Sequence, residues 1–154
     1  MKFLVDNMLG RLARWLRILG YDAVYSKSGI NCAVIQTDND PERIILTRNT
    51  RLFKNLGNKG ALFIKDDYFR LQVRQVAQEL GLNLEKNTFL SRCVECNEKL
   101  SPITKEEAES KIPEYVFQTQ SNFRQCKKCG RIYWQGTHYF QMENLIKFFW
   151  EKEE

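Results

Sequence analysis

The sequence predicts an α/β protein: a parallel sheet flanked by helices, followed by a small four-cysteine zinc ribbon. Three observations carry this reading. Short apolar runs alternate with helix-like segments over residues 2–82, and strands separated by crossover helices pair in parallel. Several of those runs end abruptly in a polar or acidic residue, the mark of strands that deliver side chains to one edge. Beyond residue 91 the composition changes, and two CxxC pairs appear.

In order, Phe3-Leu4-Val5 forms the core of a strand over residues 2–5 that stops at Asp6. Met8–Leu19 has helical spacing of apolar residues and ends at Gly20, with Asn7 as its expected cap. Asp22–Tyr25 is a second strand, residues 26–31 a loop, and Cys32–Thr37 a short helix or turn ended by the breaker Thr37–Pro41. Arg43–Leu46 is apolar and β-branched and reads as the third strand. Thr47-Arg48-Asn49 turns into a short helix over Thr50–Leu56, closed by Gly57. Ala61–Ile64 is the fourth strand and runs into Asp66-Asp67, after which Tyr68–Leu80 is a helix with Leu71, Val76 and Leu80 facing the core. In parallel sheets ligands collect at the carboxyl ends of strands, so Asp6, Thr47, Asn49, Asp66 and Asp67 are expected at one edge, with Asp22 as a further candidate acid.

The domain boundary falls at 1–90 and 91–154. In the second part, the EEAESK run is helical, and residues 140–150 form an amphipathic helix carrying Leu145, Ile146, Phe148 and Phe149 on a broad apolar face. That helix is expected to dock on one of the two modules.

Cys93, Cys96, Cys126 and Cys129 are the most specific signal. Two residues between cysteines let both thiolates reach one tetrahedral ion, and Gly130 supplies the turn after the second pair. Zn²⁺ is favoured over two disulfides or an iron–sulfur cluster. Four sulfur ligands leave no position for water, so the ion's role is structural. Residues 97–125 between the pairs exceed the usual ribbon spacing and imply an insertion. Cys32 is left over as a small core residue.

At 154 residues, with 43% hydrophobic and 28% charged residues, the chain has room for one good core and a small metal-held module. A net charge of +5 favours polyanionic partners, RNA among them. Arg11, Arg14 and Arg48 near the acidic edge, and Lys127, Lys128 and Arg131 on the second knuckle, are the candidate phosphate contacts. Against this stands the bland reading of Arg11, Arg14 and Arg17 as a solvated helix face, expected for at least one of the three. Tyr133, Trp134, Tyr139 and Phe140 offer rings for base stacking, although a small metal module also needs them as core. His138, the single histidine, reads as a packed or surface residue. No apolar run approaches the roughly 20 residues of a membrane helix, and no signal-peptide core is evident. The expectation is a cytoplasmic protein without membrane contact or small-molecule cofactor.

The stretches FLVDNMLGRLARWLRILGYD (3–22), IILTRNTRL (44–52), RCVECNEKL (92–100) and RQCKKCGRIYWQGTHYFQM (124–142) resemble the Mut7-C RNase domain family. That resemblance implies a PIN-like domain followed by a zinc ribbon and, in active members, metal-dependent hydrolysis of RNA by carboxylates holding Mg²⁺ or Mn²⁺. It assigns Asp6 as the first acid, places Asn49 where the family's TRD turn has a carboxylate, and leaves Asn31 where a second acid is expected. Asp66 and Asp67 remain as fourth-strand acids. The resemblance therefore implies a ribonuclease weakened by loss of acidic ligands; the alternative is an inactive RNA- or ribosome-binding module on the same fold.

Overall fold

A computed structural model describes residues 1–31, 40–57, 60–85 and 88–150; the expectations for Cys32 and residues 32–37, and for the side chains of His138 and Phe140, lie outside the described residues. Phe3, Leu4 and Val5 are all buried, so β1 (Lys2–Val5) meets apolar layers on both faces and takes a central place in the sheet. β2 (Asp22–Tyr25) and β3 (Arg43–Thr47) flank it, and β4 (Ala61–Phe63) lies beyond β3, giving the order β2-β1-β3-β4 with every pair parallel. The register sets Lys2 beside Asp22 and Arg43 at one end, and Val5 beside Tyr25 and Leu46 at the other.

Helices cover both faces. The amphipathic α1 (Gly10–Ile18) buries Leu12, Ala13 and Leu16 with Phe3, Val5 and Leu46, and shares this core with Val73, Val76 and Ala77 of α3 (Phe69–Leu80). On the other face α2 (Thr50–Leu56) sets Leu52 and Leu56 against Leu4 and Ile45. α1 starts later than its sequence period suggests. Residues Asn7–Leu9 form a 3₁₀ turn first, and its cap is Asp6 rather than Asn7: the carboxylate accepts the Asn7 N–H at 2.9 Å.

The ribbon sheet is antiparallel, β5 (Ser101–Ile103), β6 (Phe123–Gln125) and β7 (Ile132–Trp134) in that order. Between β5 and β6 come α4 (Lys105–Ala108), which opens with a capping box between Thr104 and Glu107, and α5 (Glu114–Thr119). Ala108, Val116 and Phe123 form this module's own core, with Ile132 and Trp134 against it. The final helix, α6 (Thr137–Trp150), leaves the ribbon and packs on the first core. Phe149 is fully buried there, edge-on to Trp15 at 6.5 Å, and Gln78 Nε2 donates to the Phe149 carbonyl at 3.3 Å. No helix among the described residues is long and apolar enough to cross a membrane.

Candidate functional site

The chain runs from β1 through α1 to β2 on one side and returns to β3 on the other, so the crevice between the carboxyl ends of β1 and β3 is the sheet's switch point. Asp6 follows β1 and Thr47-Arg48-Asn49 closes β3, as the sequence pattern predicts. Asp6 is 3% exposed, and its carboxylate is surrounded by donors. Oδ1 accepts the Asn7 N–H at 2.9 Å and the Ile30 N–H at 3.2 Å, while Oδ2 accepts the Thr47 hydroxyl at 2.6 Å. Thr47 Oγ1 in turn accepts the Asn49 N–H at 3.0 Å. The Ile30 contact also draws the 26–31 loop, with Asn31 at its end, to the same edge.

Asn49 is used locally. Its Oδ1 accepts the Leu52 N–H at 3.1 Å and caps α2. Asp66 likewise accepts the Tyr68 N–H at 2.7 Å. The side chain of Asp67 is 92% exposed and forms an ion pair with Arg48, whose side chain is only 24% exposed. Arg48 Nη1 is buried without a hydrogen-bond partner among the described residues. From Asp67 the chain continues into Tyr68, 54% exposed, and Phe69, whose ring lies 5.6 Å from the Arg11 guanidinium and 5.9 Å from that of Arg70. Trp15 stacks on the same ring at 5.9 Å. Asp22 does not belong here. It starts β2 at the opposite end of the sheet, where Arg43 donates to it at 2.7 Å.

Mg²⁺ takes six oxygens in octahedral array, commonly one or two carboxylates with waters making up the rest. Asp6 has every oxygen engaged by protein donors, Asn49 is turned to its own helix, and Asp67 faces an arginine. Among the described residues the cysteine quartet is the group of three or more acidic, histidine or cysteine side chains close enough to share an ion.

The cysteines fit one ion. All four Sγ atoms lie within 4.8 Å of one another, and Cys93 Sγ to Cys129 Sγ is 3.7 Å, close to the roughly 3.8 Å edge of a tetrahedron with 2.3 Å Zn–S bonds. The two knuckles repeat one backbone pattern. Cys93 N–H donates to the Glu98 carbonyl and Cys126 N–H to that of Arg131, while Asn97 N–H and Gly130 N–H return to the carbonyls of Cys93 and Cys126. Gly130 takes the left-handed turn expected of it (φ 77°), and Asn97 occupies the equivalent position at φ 64°. Tyr133 is the outer support: its hydroxyl lies 3.2 Å from Cys93 Sγ and accepts the Val94 N–H at 3.1 Å. Burial pushes the Cys93 thiol up, but hydrogen bonds from Tyr133 and from the backbone of Cys96 and Glu95 outweigh it and bring it down to about 7. Burial pushes the Cys96 thiol up to about 12 and raises Cys126 as well, so binding of the ion is what takes those protons off.

The first knuckle is bolted to the edge of the parallel sheet. Ala23 of β2 points its N–H and C=O away from β1; Asn97 Oδ1 accepts the one at 3.0 Å and Arg17 Nε donates to the other at 2.8 Å. Arg17 Nη1 also donates to the carbonyls of Val94 at 2.8 Å and Glu95 at 3.1 Å. The stripe Arg11, Arg14, Arg17 is therefore no uniform face. Arg17 is a buried clamp, Arg14 forms an ion pair with Glu95, and Arg11 covers Phe69. On the second knuckle Lys127 and Lys128 are exposed, and Arg131 lies 3.7 Å from Glu95. Sequence alone did not mark Asn97, and it read Arg17 as part of a charged helix stripe and Tyr133 as a stacking or core ring; an arginine among leucines and an asparagine four residues past a cysteine are the signals that were there.

No curated protein and no solved structure matches the chain. The family model described as the Mut7-C RNAse domain matches residues 1–146, spanning the sheet, both knuckles and most of α6, and the chain belongs to that family.

Proposed function

We propose that the chain binds RNA through the carboxyl edge of its PIN-like sheet and the basic face of a zinc-filled ribbon, with metal-dependent cleavage lost or strongly weakened. The observation that carries this reading is the contrast within one edge. The carboxylate that would recruit a divalent ion, Asp6, is buried and holds the Asn7, Ile30 and Thr47 donors, whereas the guanidinium groups of Arg11 and Arg70 stand exposed over Phe69 and Arg48 is partly open to solvent. Exposed guanidinium groups are natural donors to phosphate oxygens. Tyr68, Phe69, Arg11 and Arg70 extend the same edge with rings and cations, the pairing that holds single-stranded nucleic acid. Zinc in the four-cysteine set acts structurally, holding the two knuckles and the exposed Lys127 and Lys128 in place.

Family membership favours a second reading, in which the edge keeps ribonuclease activity. One assay separates the two: binding and cleavage of single-stranded RNA with added Mn²⁺ or Mg²⁺ by the wild type, Asp6→Ala, Asn49→Asp and Arg48→Ala. The expected result is salt-dependent binding by the wild type, a salt slope smaller by about 1 for Arg48→Ala, and no cleavage above the Asp6→Ala background. Metal-dependent cleavage by the wild type that Asp6→Ala abolishes would establish the second reading.

A further inference from the structure

We infer that the cleft between α5 and β7 is a pocket for an unpaired nucleobase, an extension of the RNA-binding reading to a site on the ribbon. The cavity measures about 480 Å³, within the range of roughly 300–1,000 Å³ usual for pockets that enclose a small ligand. Tyr115, Val116, Ile132 and Trp134 supply apolar and aromatic wall, and Thr119 and Gln120 supply hydrogen-bonding groups. A second cavity of about 260 Å³ shares Tyr133 and Trp134 with the first and adds Ser121, Asn122 and Arg124. Neither cavity is lined by a carboxylate, and the one charged residue in the two linings is Arg124.

Two of the three aromatic residues in this lining, Trp134 and Tyr115, differ in their surroundings. Trp134 is held edge-on against Phe123 at 6.4 Å, and Gly136 keeps room beside it, since a Cβ there would come 3.1 Å from the indole nitrogen. Tyr115, on the facing helix, is 70% exposed and spends an aromatic ring on solvent. A rigid indole on one side and an open phenol on the other suit a flat ring with apolar faces and polar edges. A nucleobase has that shape, and its flanking phosphates would meet Arg124 with no acid lining the cavities to repel them. Bases locked in an A-form duplex cannot enter, so the site selects single strands.

The test is fluorescence anisotropy with a short labelled single-stranded RNA, the same RNA carrying abasic positions, and a duplex of equal length, across a salt series. Tyr115→Ala, a substitution of an exposed side chain, is expected to weaken single-strand binding roughly tenfold with the salt slope unchanged. It should leave duplex binding unaltered, and the abasic RNA should bind wild type as weakly as the intact RNA binds the variant. Gly136→Ala, which crowds Trp134, should weaken the single strand in the same manner. Equal single-strand affinity for wild type and Tyr115→Ala overturns the base pocket and leaves RNA binding standing, as does a loss that is the same for duplex and abasic RNA. Absence of RNA binding by the wild type overturns both.

Discussion

The Thr47 hydroxyl donates a 2.6 Å hydrogen bond to Asp6 Oδ2, joining the ends of two neighbouring parallel strands inside a buried pocket. This bond gives Asp6 a structural part in the folded chain. The carboxylate serves as a knot between β1, the 3₁₀ turn after it, the 26–31 loop and β3, because each of its partners comes from a different one of these segments.

Thr47→Val keeps the shape and removes the donor, leaving a buried carboxylate oxygen without its partner. The expected loss of stability is about 1–3 kcal/mol, read as a lower urea midpoint with an unchanged slope. Asp6→Asn should cost less than Asp6→Ala, since the amide oxygen can still accept the N–H of Asn7. Equal midpoints for wild type and Thr47→Val would show that the knot does not hold the edge.

The first knuckle covers the free edge of β2 through side chains. Asn97→Gly preserves the left-handed turn and removes the amide, which accepts the Ala23 N–H and donates to Asp22 Oδ1 at 2.8 Å. Zinc content should stay stoichiometric while hydrogen exchange at the Ala23 amide speeds up by roughly tenfold or more, as the bond to the ribbon is lost. Stripping the metal with a chelator should produce the same exchange at Ala23 and additional exchange through both knuckles. Unchanged Ala23 protection in Asn97→Gly would refute the edge-cap role.

Tyr133→Phe removes the hydroxyl beside Cys93 Sγ and leaves the ring in the ribbon. Outer partners of metal ligands typically carry about 10–100-fold in affinity. The variant should still take up one zinc ion, with an affinity lower by about that factor in competition with a chromogenic chelator. A wild-type affinity would mean that the Tyr133 contact with Cys93 does not tune the site.

Much of the architecture was legible because it rests on local pattern. Strands β1 to β4 stand where apolar β-branched runs end in polar residues, and their boundaries agree with the reading to within about a residue. The CxxC pairs announced the metal centre, because thiolate spacing is a short-range constraint that tertiary structure does not rewrite. The docking of α6 was half legible: Leu145, Ile146, Phe148 and Phe149 demanded burial, but no periodicity says which surface provides it, and the answer is the first core at Trp15 and α3.

The side chains at the edge were the hardest to read, since a charged or polar residue has the same letter whether it serves a ligand, a backbone amide or another side chain. Arg17 sits three residues from Arg14 yet is buried against three carbonyls, while Arg14 reaches outward to Glu95. Asn49 and Asp66 satisfy N–H groups a few residues ahead of them. By itself the sequence determined the parallel sheet and the four-cysteine centre, which follow from hydrophobic period and motif spacing, and the family, which its motif-bearing stretches resemble. Only the tertiary structure decided that Asp6 accepts from Thr47, Asn7 and Ile30, that Arg48 keeps a buried donor, and that a cysteine knuckle closes the sheet's edge. Each of those depends on donors and acceptors brought together from distant parts of the chain, and hydrogen-bond satisfaction is settled only when the chain has folded around them.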